Sequence, residues 1–286
     1  MMEGETSMDY APIDRPTDPD EITVGLIFVD PEGEPPFLHL AKPSQPDPEL
    51  CRGKYDAIEV PVRNGRRFAR DASLDREGFL FFRHESGVAD FYDAAEIREA
   101  YYPEIEALVK DLTGAHRVIV FDHTVRGTHA GPRGSVEVEL PSDTMHCDFT
   151  LPVAEETVRQ IVPPEEIEAR PGARFLQLNL WRPIAGPLRT MPLTVCDAST
   201  LRSRSFVPTP LVRPDFASEY TTLAHDPAQR WYYLPGMTRD EVIIFKNYDS
   251  APSSPCWTMH GAFTDPTAPA DAPPRESIEV RVIAIV

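Results

Sequence analysis

Short apolar runs broken by proline dominate the chain, and one stretch keeps a sustained helical period. Ile22–Asp30 (ITVGLIFVD) is rich in β-branched residues and predicts a strand. The proline-rich DPEGEPPFLHLAKPSQPDPE that follows predicts loop or extended chain. Lys54–Arg63 and Gly78–Arg83 predict two more strands, separated by the turn NGRR. Across Tyr92–Gly114, Ile97, Tyr101, Ile105 and Leu108 recur at spacings of three and four, and Gly114 stands where a helix C-cap belongs. That pattern predicts a helix packed as a buttress on a sheet. From His116 onward the period drops to two. Strands are predicted at Arg117–His123, Val136–Leu140, Met145–Thr150, Arg174–Trp181, Leu193–Asp197, Glu241–Lys246, Trp257–Phe263 and Ser277–Ile285. One short helix, Ala154–Val162, interrupts them and is stopped by Pro163 and Pro164.

Many short strands with turn residues between them predict a mainly β fold. The architecture expected is a double-stranded β-helix, the cupin-like jelly-roll barrel, with buttressing helices. Proline use agrees: 31 prolines against 15 glycines disfavour a helix-rich chain and suit strands joined by stiff turns. Internal repeats are lacking. A single domain over residues 1–286 is expected, with 1–115 as an N-terminal extension of strands and one buttressing helix, and 116–286 as the jelly-roll core. Residues 1–20 read as a loosely draped arm, and 124–144 and 200–230 as loops.

Charge narrows the partners. A formal net charge of −18 repels nucleic-acid backbones and anionic membranes, so neither is expected as a partner. An anionic ligand would need a local arginine to capture it. The chain has no run of 18 apolar residues to span a bilayer, and the acidic N-terminus lacks the apolar stretch of a secretory signal. Cys51, Cys147, Cys196 and Cys256 lie far apart without a CxxC, which argues against a zinc ribbon or disulfide scaffold and fits a reducing cytoplasm. A homodimer is left open as the assembly.

The chemistry begins with TMHCDFT. In a strand, residues two apart face the same way, so His146 and Asp148 can offer an imidazole nitrogen and a carboxylate oxygen to one ion. Cys147 would point to the opposite layer as a small buried hydrophobe. The competing reading is a histidine and an aspartate that satisfy each other near a loop. His260 in the strand-like CWTMHGAF supplies a third ligand. Two histidines and one carboxylate leave open positions, the arrangement iron(II) uses when it must bind a co-substrate and O₂ together.

Fifteen residues beyond His260 stands Arg275-Glu276-Ser277. The arrangement resembles that of 2-oxoglutarate oxygenases, where an Arg-x-Ser pair follows the distal histidine at about this interval. Arginine's planar fork suits a carboxylate, and a serine two residues on shares its face. Arg281, on the same strand parity, is the second choice for that cation. Three further stretches are candidates for substrate contact or for support of the site: His123 and Arg126 in FDHTVRG, Asn179 and Trp181 in FLQLNLWRPI, and Lys246 and Tyr248 in FKNYDS. In FLQLNLWRPI, Gln177, Asn179 and Trp181 fall on one face and Leu176, Leu178 and Leu180 on the other. Plain structural roles, a core-edge histidine or a turn hydrogen bond, compete for each.

The ordered blocks FDHTVR, His-x-Asp, FLQLNLWRPI-x-GP, PLTVCDAS, RWYYLPGMTRDEVIIFKNYDS, MHGAFTDP and PRESIEVR resemble the AsaB/CmcJ-like hydroxylase/desaturase family. Its members include gibberellin-desaturase-like proteins and endoperoxide-forming relatives. The resemblance is strong over 116–286 and loose over 22–115. It implies a jelly-roll catalytic core, Fe(II) and 2-oxoglutarate as cofactors, O₂, and a small-molecule specialised metabolite as substrate. His146, Asp148 and His260 fall on the metal positions, and Arg275 and Ser277 on the co-substrate positions. Thr258-Met259 departs from an expected Thr-Pro, and Cys147 replaces a larger aliphatic residue. The alternative enzyme reading is a 2-oxoglutarate-independent iron oxidase or cupin-type metalloenzyme in which the substrate itself chelates the metal. A non-catalytic jelly-roll binding module is the reading from another class.

Overall fold

The computed structural model describes residues 18–42, 45–214, 216–251 and 257–286. Most of the arm expected at 1–20, and Cys256, lie outside them. The strands are β1 (Glu21–Val29), β2 (Leu38–Lys42), β3 (Gln45–Pro46), β4 (Tyr55–Asn64), β5 (Phe79–Arg83), β6 (Arg117–Gly127), β7 (Gly131–Arg133), β8 (Val136–Glu139) and β9 (His146–Cys147). They continue as β10 (Phe175–Pro183), β11 (Leu193–Cys196), β12 (Phe206–Arg213), β13 (Phe216–Leu223), β14 (Trp231–Tyr233), β15 (Glu241–Asp249), β16 (His260–Ala262) and β17 (Glu276–Ile285).

These build two mixed sheets. The larger runs β1-β4-β14-β11-β16-β9-β13-β12-β2-β3, and the smaller runs β5-β15-β10-β17-β6-β8-β7. Mainly β structure with few helices is therefore what forms. The N-terminal residues take part in both sheets: β1 and β4 extend the large one beyond β14, and β5 edges the small one beside β15.

The expected helix is present but interrupted. It consists of α1 (Ala94–Glu96), a π turn at Ile97–Tyr101 and α2 (Tyr102–Thr113). Pro103 sits in the first turn of α2, where its missing N–H breaks the regular ladder and the chain accommodates one wide turn. The wide turn shifts the buried stripe to Ile97, Tyr101, Ile105 and Val109, while Leu108 is half-buried. Gly114 closes α2 with φ 69° and its N–H on the Lys110 carbonyl. α2 packs on β6 and β17, as the buttress reading requires. The second helix, α3 (Leu151–Ile161), packs Ala154 and Val158 against Tyr248, Ile283 and Ile285, and a short α4 (Pro164–Ala169) follows.

Two segments differ from expectation. The 200–230 stretch is not loop: β12 and β13 form a long antiparallel hairpin from Phe206↔Leu223 to Arg213↔Phe216. Pro208 and Pro210 disguise it. They are two residues apart, so both missing N–H groups fall on the same edge, and the ladder to β13 is kept. The strand expected at Met145–Thr150 is only His146–Cys147, because the chain bends at Asp148 to enter α3, whose first turn carries Pro152.

Candidate metal centre

β9 and β16 lie side by side in the large sheet with His146 directly opposite His260. Their rings stand 4.5 Å apart, and Phe245 from β15 covers His260 at 4.4 Å between ring centroids. Both imidazoles are oriented by backbone. His146 Nδ1 donates to the Thr144 carbonyl at 2.7 Å, and His260 Nδ1 to the Thr258 carbonyl at 3.2 Å. A carbonyl can only accept, so each Nδ1 carries the proton and each Nε2 keeps its lone pair for the cluster.

Asp148 completes it. Its Oδ1 lies 3.5 Å from His146 Nε2 and 3.6 Å from His260 Nε2. Donor atoms about 2.1 Å from a shared ion stand about 3–4 Å apart, so this set fits a small divalent metal. The bend after Cys147, rather than strand alternation, brings the carboxylate to its place. The other oxygen, Oδ2, accepts from Asn179 Nδ2 at 2.9 Å, Asn247 Nδ2 at 3.2 Å and Arg281 Nε at 2.8 Å. These three come from β10, β15 and β17, so the small sheet orients the carboxylate while the large sheet supplies the imidazoles. Burial alone would raise the Asp148 carboxyl, but the Arg281 guanidinium beside it holds it well below the usual range. A low proton affinity keeps it anionic for a cation.

Arg281 is fully engaged. Besides Asp148 it reaches Asp122 Oδ2 at 2.9 Å, Thr124 Oγ1 at 3.1 Å and Glu279. The alternative that gave Arg281 the role of anion clamp is disfavoured, since its fork already serves the aspartate. Arg275 differs. It is fully buried, with Nε on Ser277 Oγ at 3.0 Å, Nη1 on the Met191 carbonyl at 2.8 Å, and its guanidinium over the Trp181 ring at 5.1 Å. Among the described residues it forms no ion pair with a carboxylate. Burial, reinforced by the nearby Arg126 charge, lowers its pKa to about 9, so it remains cationic at neutral pH. Arg275, Arg126 and Glu279 line a narrow cleft together with His146, Asp148 and His260.

Of the remaining candidates, Asn179 and Trp181 face this region, as the alternation of FLQLNLWRPI implied. Three do not. His123 points to the other face of β6, where its Nδ1 meets Tyr102 Oη of α2 at 2.6 Å, because Asp122, Thr124 and Arg126 take the inward positions. Lys246 is fully buried in an ion pair with Asp249, which Arg174 shares at 2.6 Å. Tyr248 packs on α3. The residue of FKNYDS that reaches Asp148 is Asn247, which lies two beyond Phe245 and shares its face of β15. Asn247 also donates to Asn179 Oδ1 at 2.7 Å and accepts from the buried Cys147 thiol at 3.3 Å. Its role is not legible in the sequence, because alternation in β15 does not say which of the two faces turns to the site.

A family model described as an oxidoreductase/YMDC permease-like domain matches residues 26–285. The alpha-ketoglutarate-dependent dioxygenase phiK of a fungal species (strain ATCC 74256) is 32% identical over 253 residues, 85% of this chain and 90% of that protein. The chain belongs to this oxidoreductase family and to the Fe(II)/2-oxoglutarate-dependent dioxygenases. The hydroxylase/desaturase CTB9 of Cercospora beticola is 30% identical, covering 81% of this dioxygenase and 78% of its own length. Among solved structures, the iron and alpha-ketoglutarate-dependent endoperoxidase NvfI superimposes with a TM-score of 0.82 at 29% identity, over 93% of this chain and 98% of that one. The dioxygenase uses Fe(II) and 2-oxoglutarate, and the His146, Asp148 and His260 cluster has the chemistry to hold the iron. No helix of the described residues is long and apolar enough to cross a membrane.

Proposed function

We propose that His146, Asp148 and His260 hold the iron of this dioxygenase, and that Arg275 and Ser277 hold the far carboxylate of 2-oxoglutarate. One observation carries the reading: a buried arginine without a carboxylate partner lines the same cleft as the three ligand atoms. A buried guanidinium is costly unless an anion joins it, and 2-oxoglutarate reaches from a metal to such a cation. The large sheet and small sheet close around this cleft as a jelly-roll barrel, a reading supported by the superposition on NvfI. The described residues act as one unit in it, since β1 and β4 join the large sheet and β5 joins the small one.

The residues divide the work. Asn179, Asn247 and Arg281 fix the aspartate, and the Thr144 and Thr258 carbonyls fix the imidazoles. Trp181 backs Arg275, and Phe245 keeps water from His260. Iron(II) bound there supplies oxidation of a C–H bond by O₂, with 2-oxoglutarate as the co-reductant. The substrate is a small-molecule specialised metabolite, and the outcome is hydroxylation, desaturation or oxidative cyclisation. Relatives named hydroxylase/desaturase and endoperoxidase support that range.

Substrate-independent succinate formation tests the clamp. A buried charge-assisted contact is worth about 1.5–3 kcal/mol, so Arg275→Ala is expected to raise the half-saturating 2-oxoglutarate concentration by about 10- to 100-fold. An unchanged requirement would overturn the assignment.

A further inference from the structure

Asp148 Oδ2 accepts from Asn179 Nδ2 at 2.9 Å and from Asn247 Nδ2 at 3.2 Å, and Asn247 Nδ2 also donates to Asn179 Oδ1 at 2.7 Å. A carboxylate oxygen and an amide oxygen can only accept, so both Asn247 N–H bonds must point at them. That turns Asn247 Oδ1 the other way, onto the Cys147 thiol at 3.3 Å. The thiol donates in this contact, and its sulfur also lies 3.7 Å from the Asn247 backbone carbonyl oxygen. Every atom from Cys147 through Asn247 and Asn179 to Asp148 thus has a single role. Reversing the Asn247 amide would set its oxygen against two acceptors.

Pairing in the small sheet does not hold Asn247 by itself. It falls at the register shift where Leu178 faces Lys246 and Gln177 faces Tyr248, so it has no partner of its own in β10. Cys147, Asn247 and Asn179 are all buried, so a partner lost there is not replaced from bulk solvent. Cys147 belongs to β9 in the large sheet, between His146 and Asp148, and Asn247 to β15 in the small one. The thiol therefore ties the strand that carries the ligands to the amide that orients one of them. An aliphatic residue at 147 can fill space but has nothing to donate.

We infer that Cys147 is a positioning residue of the metal centre: its thiol locks the Asn247 amide with both N–H bonds toward Asp148 and Asn179, and so aims Asp148 Oδ1 at His146 and His260. The inference rests on the reading that His146, Asp148 and His260 bind the metal. Partners of a ligating carboxylate change metal affinity by about 10- to 100-fold, and Cys147, acting through such a partner, belongs at the lower end.

The test is anaerobic Fe(II) titration of the full chain, paired with the visible ligand-field spectrum of the Co(II)-loaded protein, which reports the geometry of the ligands rather than turnover. Cys147→Ala is expected to weaken Fe(II) binding about tenfold and to shift the Co(II) bands. Cys147→Val, which fills the space without a donor, is expected to do the same and serves should the alanine variant fail to fold. Cys147→Ser keeps a donor and is expected to restore the wild-type bands and most of the affinity. In an Asn247→Ala background, Cys147→Ala is expected to add no further loss. Wild-type affinity and spectrum in the alanine and valine variants would overturn the inference. A serine variant as impaired as the alanine one also overturns it, because packing and not the donor would then be at work. Additive losses in the double variant do so too, since Cys147 would not act through Asn247. A wild-type chain that binds neither metal is a separate result, which brings down the reading of the metal site itself.

Discussion

At the scale of the residue, Asp148 is the pivot of the site. One oxygen faces the two imidazoles, and the other takes three donors from the opposite sheet. Arg281 carries the compensating charge, so its removal leaves a buried carboxylate exposed only to neutral donors. Breaking such a pair costs about 3–5 kcal/mol. Arg281→Met is therefore expected to lower the stability of the metal-free protein by about that amount in chemical denaturation. Adding a divalent cation should recover part of the loss, since metal bound only by the native state supplies the missing positive charge. Equal stability of variant and wild type would remove Arg281 from this role.

At the scale of the element, one turn and one strand end carry the consequences. Gly78 has a φ of 81°, and its carbonyl accepts from Thr258 Oγ1 and the Lys246 N–H, both at 2.9 Å. A side chain there would drive into Thr258 Oγ1, and the Thr258 carbonyl is what orients His260. Gly78→Ala is expected to cost about 1–3 kcal/mol from the backbone alone and to weaken iron binding as well. A thermal melt paired with an iron titration checks both effects; a melt that drops without change in iron affinity would break the link to His260.

The end of β15 holds the second consequence. Asp249 is pushed up by burial but held down by Arg174 and Lys246, and its pKa falls from 3.8 to about 2. A depressed carboxyl stabilises the fold fully above its unfolded value and loses that contribution as pH falls through the folded one. Wild type should thus lose about 2 kcal/mol between roughly pH 4 and pH 2 from this group, and Asp249→Asn should lack that part of the acid transition.

The same elements show what a sequence reveals. His146 with Asp148, and Arg275 with Ser277, stand out in the sequence because each pair has a short spacing and a specific chemistry, and the structure brings both pairs and His260 to one cleft. His123, Lys246 and Tyr248 lie against Tyr102, Asp249 and α3 rather than in the cleft, and local pairing of this kind leaves no mark in the sequence. Asn247 is hidden because alternation leaves open which face of β15 turns inward, and β12 is hidden by its alternating prolines.

At the scale of the whole molecule, the site is a seam. The large sheet presents His146 and His260, and the small sheet presents Asn179, Asn247, Arg275 and Arg281, with Asp148 on the bend between β9 and α3. The general plan of strands and buttressing helix was legible from alternation. The pairing of the first strands with the two sheets was not, because long-range register leaves no mark on local pattern.

The most direct test is the amount of iron bound per chain after anaerobic reconstitution with Fe(II), compared between wild type and His146→Ala, Asp148→Ala and His260→Ala. The account predicts one iron per folded wild-type chain and near-complete loss in each variant, with folding verified by circular dichroism. A folded variant that retains one tightly bound iron would contradict it.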